Sequence, residues 1–585
     1  MNLSRYKMIL LPLLLSACAQ MPQDDKKASA DTAPPVVNAS KQASAAKDAE
    51  AKLDLPNVEL SSQILFEFLL GDVAMQRGRP KLAAQAYLDL AKTTRDPRIA
   101  RHAAQLSFES HQMDVSLQAF ALWQELEPSS ALAKQMLISL LLSSGKLQEA
   151  TSHIESLLAS APKQAGSVFK MINTLLPRVQ DKAAALNWVS DIARPYPKLA
   201  EAHWAVAQIA AITGDKKLAL NEVQQAVQLR PEWGAAVGFK AQLLMPEEPK
   251  QALAMLQEFL KTYQDSKEVR LYYARALLKH KQYTESRAQF QQLLATNPDN
   301  VELAFAIALI SLQMGELDRA EKELQETLQK GKKDADTVHY YLAQLNEAKK
   351  DNVTALSQYR QVLKGGYVYA ARLREAYLLN KAGELSKARD ALERAPLESD
   401  QQRVTVKLIE AQMLRDAKQY EASYKVLLDT LQKFPDSPKL LFEAAMVEDK
   451  LGKPKAFEKT LRKLLRIDPD HAHAYNALGY SFLDHNVRLK EGMQLVEKAY
   501  ALEPEDVAIT DSMGWGYYRL GKLDKSVNFL RRAYGSNPDP EIAAHLGEAL
   551  WVQGRKDEAK QILQNALKAH PDDEVLRALI KKYIH

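Results

Sequence analysis

Apolar residues recur along most of this chain with the spacing of an α-helix rather than of a β-strand. Residues 131–144 and 301–314 are strongly apolar and keep helical periodicity. A helix that is apolar on most sides is buried on most sides, as it is inside a stack of helices. The alternation typical of strands is weak throughout. The pattern therefore predicts an all-α fold.

Prolines divide this helical pattern at an interval of about 34 residues. The series is Pro128, Pro162, Pro197, Pro231, Pro298, Pro435, Pro469, Pro504, Pro538 and Pro571. The steps near residues 265, 332, 366 and 400 lack a proline, yet the prolines on either side of them keep the spacing of about 34 residues. We expect each proline to open the next helix, where its missing N–H costs nothing. Such a period is typical of helix–turn–helix repeats that stack into a solenoid.

Two further positions repeat with the prolines. A glycine often lies seventeen residues before a step: Gly78, Gly145, Gly214, Gly315, Gly383, Gly452, Gly521 and Gly554. Small residues follow the glycines: Ala83, Ala150, Ala219, Ala320, Ala388, Ser526 and Ala559. The glycine is predicted to end one helix in a left-handed conformation. The small residue would let the two antiparallel helices of a pair approach closely.

This arrangement resembles the tetratricopeptide repeat (TPR), most closely in the last two repeats. One fills the packing positions with Met513, Gly514, Tyr517, Ser526, Leu530, Ala533 and Pro538. The other uses Leu546, Gly547, Leu550, Ala559, Leu563, Ala566 and Pro571. The resemblance implies a superhelical solenoid of about 11–15 helix pairs. We divide it into an N-terminal array (58–245), a degenerate central array (246–435) and a C-terminal array (436–585).

The first residues carry a different signal. Arg5 and Lys7 precede a short apolar run that ends at Leu15-Ser16-Ala17-Cys18, and Cys18 is the only cysteine of the chain. The run is too short to anchor the chain as a membrane-spanning helix. The motif resembles the lipobox of bacterial lipoproteins, which implies a signal peptide over 1–17 and acylation of Cys18. Alanine at position 19, rather than aspartate, favours the outer membrane and a body that faces the periplasm.

Residues 18–57 are predicted to form a lipidated, disordered tether. They are rich in Ala, Ser, Lys and Asp and hold few large apolar residues. Such a segment cannot bury enough surface to offset the entropy of ordering it. We therefore expect the helical array to reach into the periplasm on a flexible connection.

Composition and motifs argue against several classes of function. The net charge of +5 is small for 585 residues and gives no case for nucleic-acid binding. His471 and His473 lie two residues apart, so on a helix they cannot chelate one metal ion together. No phosphate loop, nucleophile elbow or acid–base pair stands out. We predict no metal, no cofactor and no enzymatic activity, and recognition of other proteins instead.

Recognition in a TPR array is expected in the groove that the first helices line. The candidate groove residues are Asn476, Tyr480, Asp511, Trp515, Tyr518, Glu548 and Trp551. Large aromatic side chains are frequent anchors of protein interfaces. The alternative is that the aromatic residues pack between neighbouring repeats and that the polar ones are plain solvated surface.

The strings LGYSFLDHN, DSMGWGYYRLG and PDPEIAAHLGEALW, together with the lipobox, carry a closer resemblance. They are similar to the LbcA group of proteobacterial outer-membrane TPR lipoproteins. That resemblance implies an adaptor that gathers a periplasmic carboxyl-terminal processing protease and substrates such as peptidoglycan hydrolases. A scaffold of an envelope machine for polysaccharide export or pilus biogenesis is the alternative. An enzyme with an unrecognised site is the third interpretation.

Overall fold

Helices joined by short turns make up the chain in a computed structural model that describes residues 55–160, 162–331 and 335–584. These ranges contain no strand, so the all-α prediction is confirmed. Contacts divide the chain into two compact units, Met1–Lys333 and Asp334–His585. The boundary between the units lies inside the segment that the sequence marks as the degenerate central array.

The described part of the first unit holds sixteen α-helices, α1 to α16. They are α1 Ser62–Gln76, α2 Pro80–Thr94, α3 Pro97–Glu109, α4 Met113–Leu126, α5 Ala131–Ser143, α6 Leu147–Ser160, α7 Ala165–Leu175, α8 Lys182–Ala193, α9 Ala200–Thr213, α10 Lys216–Leu229, α11 Gly234–Leu244, α12 Pro249–Thr262, α13 Lys267–Lys279, α14 Tyr283–Thr296, α15 Val301–Gln313 and α16 Leu317–Gln329. Two 3₁₀ turns, Pro162–Gln164 and Leu176–Arg178, flank α7.

The described part of the second unit holds fifteen α-helices, α17 to α31. They are α17 Ala335–Ala348, α18 Asn352–Arg360, α19 Val368–Lys381, α20 Leu385–Glu393, α21 Asp400–Asp416, α22 Tyr420–Lys433, α23 Pro438–Lys450, α24 Pro454–Ile467, α25 Ala472–Asp484, α26 Leu489–Leu502, α27 Val507–Arg519, α28 Leu523–Ser536, α29 Pro540–Val552, α30 Lys556–Ala569 and α31 Glu574–Tyr583.

Consecutive helices form fifteen pairs, from α1–α2 to α29–α30, and α31 follows as a single last helix. The number agrees with the upper end of the predicted range. Ser62 begins the first pair and Glu574 begins the single helix fifteen steps later, so one step averages about 34 residues. The period therefore continues through the central repeats that lack the proline.

The turn inside thirteen of the fifteen described pairs holds a residue with positive φ, whereas the turns of α7–α8 and α11–α12 hold none. All eight predicted glycines have φ between +62° and +90°. In five pairs without that glycine, other residues take the conformation at the same turn: His111, Lys281, Lys350, Lys418 and Asn486. A side chain is strained in this region, because its Cβ approaches the backbone. In these five pairs the turn geometry is therefore kept although the glycine is missing.

The predicted small residues are fully buried between the helices of their pairs. All seven positions, from Ala83 to Ala559, have no exposed surface. Two glycines of the C-terminal repeats show how close the approach is. A Cβ on Gly514 would lie 2.5 Å from Leu530 Cγ, and a Cβ on Gly547 would lie 2.6 Å from Leu563 Cγ. These contacts confirm the packing positions that were assigned from the sequence.

The prediction that the repeated prolines open the next helix is wrong. Pro231, Pro435 and Pro504 each follow the C-cap residue of a second helix and precede the next helix by three residues. The C-cap residue before them has left the helical conformation, with φ of −146°, −128° and −134° respectively. A proline disfavours helical backbone at the residue before it. The prolines therefore end a pair rather than begin one.

Candidate functional site

The predicted groove residues lie on three first helices of the second unit. They are Asn476 and Tyr480 on α25, Asp511, Trp515 and Tyr518 on α27, and Glu548 and Trp551 on α29. Helices α25 and α27 touch directly, as do α27 and α29, and α29 and α31. The first helices thus form a continuous row, whose lining side chains we call the C-terminal face.

Trp515 lies at the centre of the C-terminal face but is only 5% exposed. Its ring stacks on the His545 ring at 4.1 Å and on the Tyr518 ring at 4.8 Å. Its indole Nε1 donates a hydrogen bond to Asp484 Oδ1 at 3.3 Å. Trp515 therefore packs between neighbouring repeats, and its binding role stays a prediction. What the face offers to a partner is the rim of polar groups around this ring.

His545 is a buried residue of this face that the sequence reasoning missed. Its Nδ1 lies 2.9 Å from Asp511 Oδ2, and the two side chains are 9% and 8% exposed. Burial alone would lower the pKa of His545, but the hydrogen bond to Asp511 and the charges of Asp511, Glu541 and Asp484 outweigh it and raise the pKa. Asp511 is therefore an internal partner of His545. The only signal for this in the sequence is a histidine inside an apolar helix.

Tyr480 connects the buried pair to the edge of the face. Its hydroxyl donates to Glu541 Oε1 at 2.8 Å and lies 3.5 Å from His545 Nε2. Burial and the negative charges of Glu541, Asp484 and Asp511 raise the pKa of Tyr480. The phenol therefore stays a neutral donor, surrounded by three carboxylates.

The other end of the C-terminal face meets the last helix. Tyr583 donates its hydroxyl to Glu548 Oε1 at 2.8 Å, and Lys582 Nζ lies 3.5 Å from the same oxygen. The Trp551 ring lies 5.1 Å from the Tyr583 ring. Burial and the nearby Glu548 raise the pKa of Tyr518 to about 12. Glu548 and Trp551 are thus held by α31, which the sequence reasoning did not include in the site.

Asn476 differs from these residues because one of its polar atoms has no partner. Its Oδ1 is buried and accepts no hydrogen bond within the described part of the chain. A buried acceptor without a donor costs free energy, which a donor from a bound segment would relieve. Asn476 therefore remains a candidate contact one turn of helix before Tyr480.

A second surface lies in the first unit and was not predicted. A cavity of about 890 Å³ opens along α9, α11, α13 and α15. Trp204 and Phe239 meet edge to face at 5.3 Å on its wall, and the half-buried Tyr272 lies beside them. The wall also holds amide and charged side chains: Gln208, Gln242, Asn297, Asn300, Lys267, Glu268, Arg275 and Glu302. We call this surface the N-terminal cavity.

Gly238 offers access to the N-terminal cavity by mutation. It lines the cavity on α11, and a Cβ added there would meet no other atom within 4 Å. A large side chain at this position would project into open space rather than into the core. Aromatic residues on successive first helices are the sequence signal that could have located this surface.

One further cluster combines a histidine and two carboxylates. His473, Glu503 and Asp506 offer ligand atoms within 4.8 Å of one another, where α25 begins and α26 passes to α27. In the sequence, His473 stands out only because it lies two residues from His471. The cluster is open to solvent, and exposed acidic groups are common without a bound ion, so we assign no ion here.

Cys18 and the predicted segments before residue 55 lie outside the described residues, so acylation and the tether stay predictions. Within the described ranges, none of the helices combines the length and the apolar character that a membrane span requires.

Comparisons with known proteins agree with this architecture. Tetratricopeptide-repeat family models match residues 243–297, 277–345, 438–471 and 517–583. The chain is 30% identical over 492 residues to the TPR repeat-containing protein PA4667 of Pseudomonas aeruginosa, a match that covers 83% of this chain and 82% of that protein.

Solved structures with similar helices include the thermophilic TPR protein TTC0263 of Thermus thermophilus. That match has 23% identity and a TM-score of 0.29, and it covers 32% of this chain and 99% of that one. Another is the APC/C hetero-tetramer Cut9–Hcn1, with 13% identity and a TM-score of 0.30 over 84% of this chain and 97% of that one. At these values the likeness carries no information on function.

Proposed function

This chain belongs to the tetratricopeptide-repeat family, and we propose that it is a non-enzymatic scaffold that binds a different protein segment on each of its two units. The family assignment rests on the relative that is 30% identical over 82% of its length. Tetratricopeptide repeats are consistent with a protein-interaction scaffold. The fold by itself does not identify the partners.

The observation that carries this proposal is the different chemistry of the two surfaces. The N-terminal cavity combines aromatic rings and amides with side chains of both charges, Lys267, Glu268, Arg275 and Glu302. The C-terminal face combines aromatic rings with the carboxylates of Asp484, Asp511, Glu541 and Glu548. Two surfaces with the same chemistry would indicate that the chain binds the same ligand twice. Two surfaces with different chemistry favour two different partners, as an adaptor requires.

In its specific form the proposal places the chain in the outer membrane, anchored through acyl groups on Cys18 and facing the periplasm. The partners would be a carboxyl-terminal processing protease and its substrates, such as peptidoglycan hydrolases. Support comes from the lipobox-like motif and from the resemblance of the C-terminal strings. The scaffold would act by raising the effective concentration of substrate near the protease, without making or breaking bonds itself.

The test is affinity capture from an envelope extract with the chain from residue 19 onwards, followed by mass spectrometry. The matched variants are Gly238→Trp, which fills the N-terminal cavity, and Gly238→Ala, which leaves it open. We expect the unchanged chain and Gly238→Ala to retain a protease and its substrates. We expect Gly238→Trp to recover about tenfold less of either the protease or its substrates. The reason is that the new indole would exclude one anchoring side chain of that partner from the cavity.

Capture of no envelope protein by the unchanged chain would overturn the scaffold proposal. Recovery of components of a polysaccharide or pilus machine would favour the alternative function. In that case deletion of the gene should abolish an exported polymer or fibre while hydrolase levels stay constant. An equal set of proteins on both Gly238 variants would remove the N-terminal cavity from the proposal.

A further inference from the structure

Some carboxylates of the C-terminal repeats are neutralised by arginines of adjacent repeats. Arg488 Nη2 lies 2.5 Å from Glu458 on α24, and Arg531 Nη2 lies 2.5 Å from Glu558 on α30. The ion pair with Arg488 and the neighbouring Arg462 hold the pKa of Glu458 at about 2. Glu458 and Glu558 are therefore neutralised within the chain.

On the C-terminal face, two of the four carboxylates have cationic or ionisable partners of their own. Asp511 is paired with His545, and Glu548 lies 3.5 Å from Lys582 Nζ. Arg519 lies over the Trp515 ring, with its guanidinium carbon 5.7 Å from the ring centre. These three groups are the cations or ionisable bases that reach the face from α27, α29 and α31.

Asp484 and Glu541 are left with neutral donors only. Asp484 accepts from the Trp515 indole, and Glu541 accepts from the Tyr480 hydroxyl. Across the residues that the structure describes, neither carboxylate forms an ion pair, and both side chains are exposed. Each still has an oxygen that can accept from a charged donor.

The positions of these two acids concentrate negative charge at one place. Asp484 and Glu541 come from α25 and α29, and both act on Tyr480 and on His545. Neighbouring carboxylates repel each other, and a cation bound near both of them reduces that cost. A flat aromatic wall beside the acids also favours a cation. Tyr480 provides such a ring here, because its hydroxyl is held by Glu541.

We propose that Asp484 and Glu541, with Tyr480 between them, bind an arginine or lysine side chain of an extended segment in a protein partner. This inference rests on the proposed scaffold function and names the chemistry of one of its two surfaces. A guanidinium or ammonium group donates charge-assisted hydrogen bonds to the free carboxylate oxygens. Asn476 Oδ1, one turn earlier on α25, would accept a donor from the same segment.

The direct test uses a short fluorescent Gly-Ser peptide with spaced arginines, and a matched peptide in which citrulline replaces arginine. Binding is measured by fluorescence anisotropy at low and at high salt. We expect the chain to bind the arginine peptide, more weakly at high salt, and to bind the citrulline peptide far less. The variants Asp484→Asn and Glu541→Gln should each weaken binding by about tenfold, because each loses one charge-assisted contact.

The matched control is Glu505→Gln, which removes an exposed carboxylate from the turn before α27. It should bind the arginine peptide as the unchanged chain does. Equal binding of arginine and citrulline peptides would overturn the inference. So would equal losses in Glu505→Gln and Glu541→Gln, because the effect would then be general electrostatic attraction. Binding of Mg²⁺ alone that disappears in Asp484→Asn, with no binding of the peptide, would also overturn it.

Affinity capture from an envelope extract distinguishes failure of this inference from failure of the scaffold proposal on which it rests. If the unchanged chain and the Asp484→Asn/Glu541→Gln double variant retain the same proteins, the scaffold stands and the cationic site fails. If the double variant loses a subset of proteins that Glu505→Gln keeps, both stand. If the unchanged chain retains none, the scaffold proposal itself fails.

Discussion

The central and C-terminal repeats of the second unit hold the two helices of a pair together in different ways. In the C-terminal pairs, backbones approach closely through glycine. A Cβ on Gly479 would lie 2.7 Å from the carbonyl oxygen of Gly492, which belongs to the other helix of the pair. In the central pairs, a fully buried Glu375 forms ion pairs with Arg372, Arg360 and Arg394 at 2.9–3.1 Å.

The difference follows from how each pair ends. The second helices of two central pairs, α18 and α20, have only nine residues, and the repeated proline is missing. Arg372 compensates at the end of α18. Its guanidinium donates to the carbonyl oxygens of Tyr359 at 3.1 Å and Val362 at 2.7 Å. A buried arginine, held in place by Glu375, thus satisfies backbone groups at a turn that lacks the proline.

The largest effect is expected from breaking the buried ion network of the central pairs. Glu375→Gln keeps the size of the side chain but leaves Arg372 without a buried counter-charge. Removing one partner of a buried ion pair costs about 3–5 kcal/mol. We expect the free energy of unfolding of the second unit, measured by urea titration, to fall by that amount. The control Glu393→Gln changes an exposed acid on α20 and should have an effect of less than about 0.5 kcal/mol.

A comparable loss in Glu393→Gln, or a loss below about 1 kcal/mol in Glu375→Gln, would show that the central network adds little. The two regions would then differ mainly in the length of their second helices.

A smaller effect is expected from closing the gap between the helices of a C-terminal pair. Gly479→Ala places a methyl group against the backbone of α26, and such overpacking costs about 1–3 kcal/mol. The control is Gly535→Ala on α28, where a Cβ would meet nothing within 4 Å. There alanine should stabilise the helix by about 0.5–1 kcal/mol. Urea midpoints of the two variants that move in the same direction would contradict the role of glycine in close packing.

The smallest effect is a dependence on pH from the C-terminal face. The pKa of His545 is raised above its unfolded value of about 6.5, so protonation favours the folded state. This contribution is fully present below the unfolded pKa and is lost as the pH rises through the folded pKa. We expect the free energy of unfolding to fall as the pH rises above about 6.5 and through the folded pKa.

His545→Gln provides the comparison, because it cannot titrate. Its free energy of unfolding should lack the part of the pH dependence that the histidine contributes. An unchanged slope in this variant would assign the pH dependence to other groups.

Much of the fold was predictable because its signals are local and repeat. The glycine turns, the buried small residues and the number of pairs follow from residue types at fixed spacing. The prolines show the limit of such reasoning. Their period correctly predicted the repeat, but their position after the second helix was predicted wrongly. A proline is tolerated both at the start of a helix and just beyond the end of one, so spacing alone does not distinguish the two.

The candidate site was predictable only in part. No local pattern connects His545 with Asp511, which lies 34 positions earlier, or Tyr480 with Glu541, which lies 61 positions later. Trp515 was a candidate for a binding anchor by residue type, and that role stays a prediction. Its stacking on His545 and Tyr518, which packs it between repeats, could not be read from residue type.

The sequence by itself determined the repeating helix pairs, because helix periodicity, turn residues and small packing positions act within about one repeat. It also supplied the lipobox-like motif, whose consequence remains a prediction. The tertiary structure decided which carboxylates are neutralised and which are left for a partner. Asp511 is paired with a histidine of the next repeat, whereas Asp484 and Glu541 accept only from neutral groups. That distinction depends on how successive repeats are packed, since hydrogen bonding and burial are set by neighbours distant in the chain.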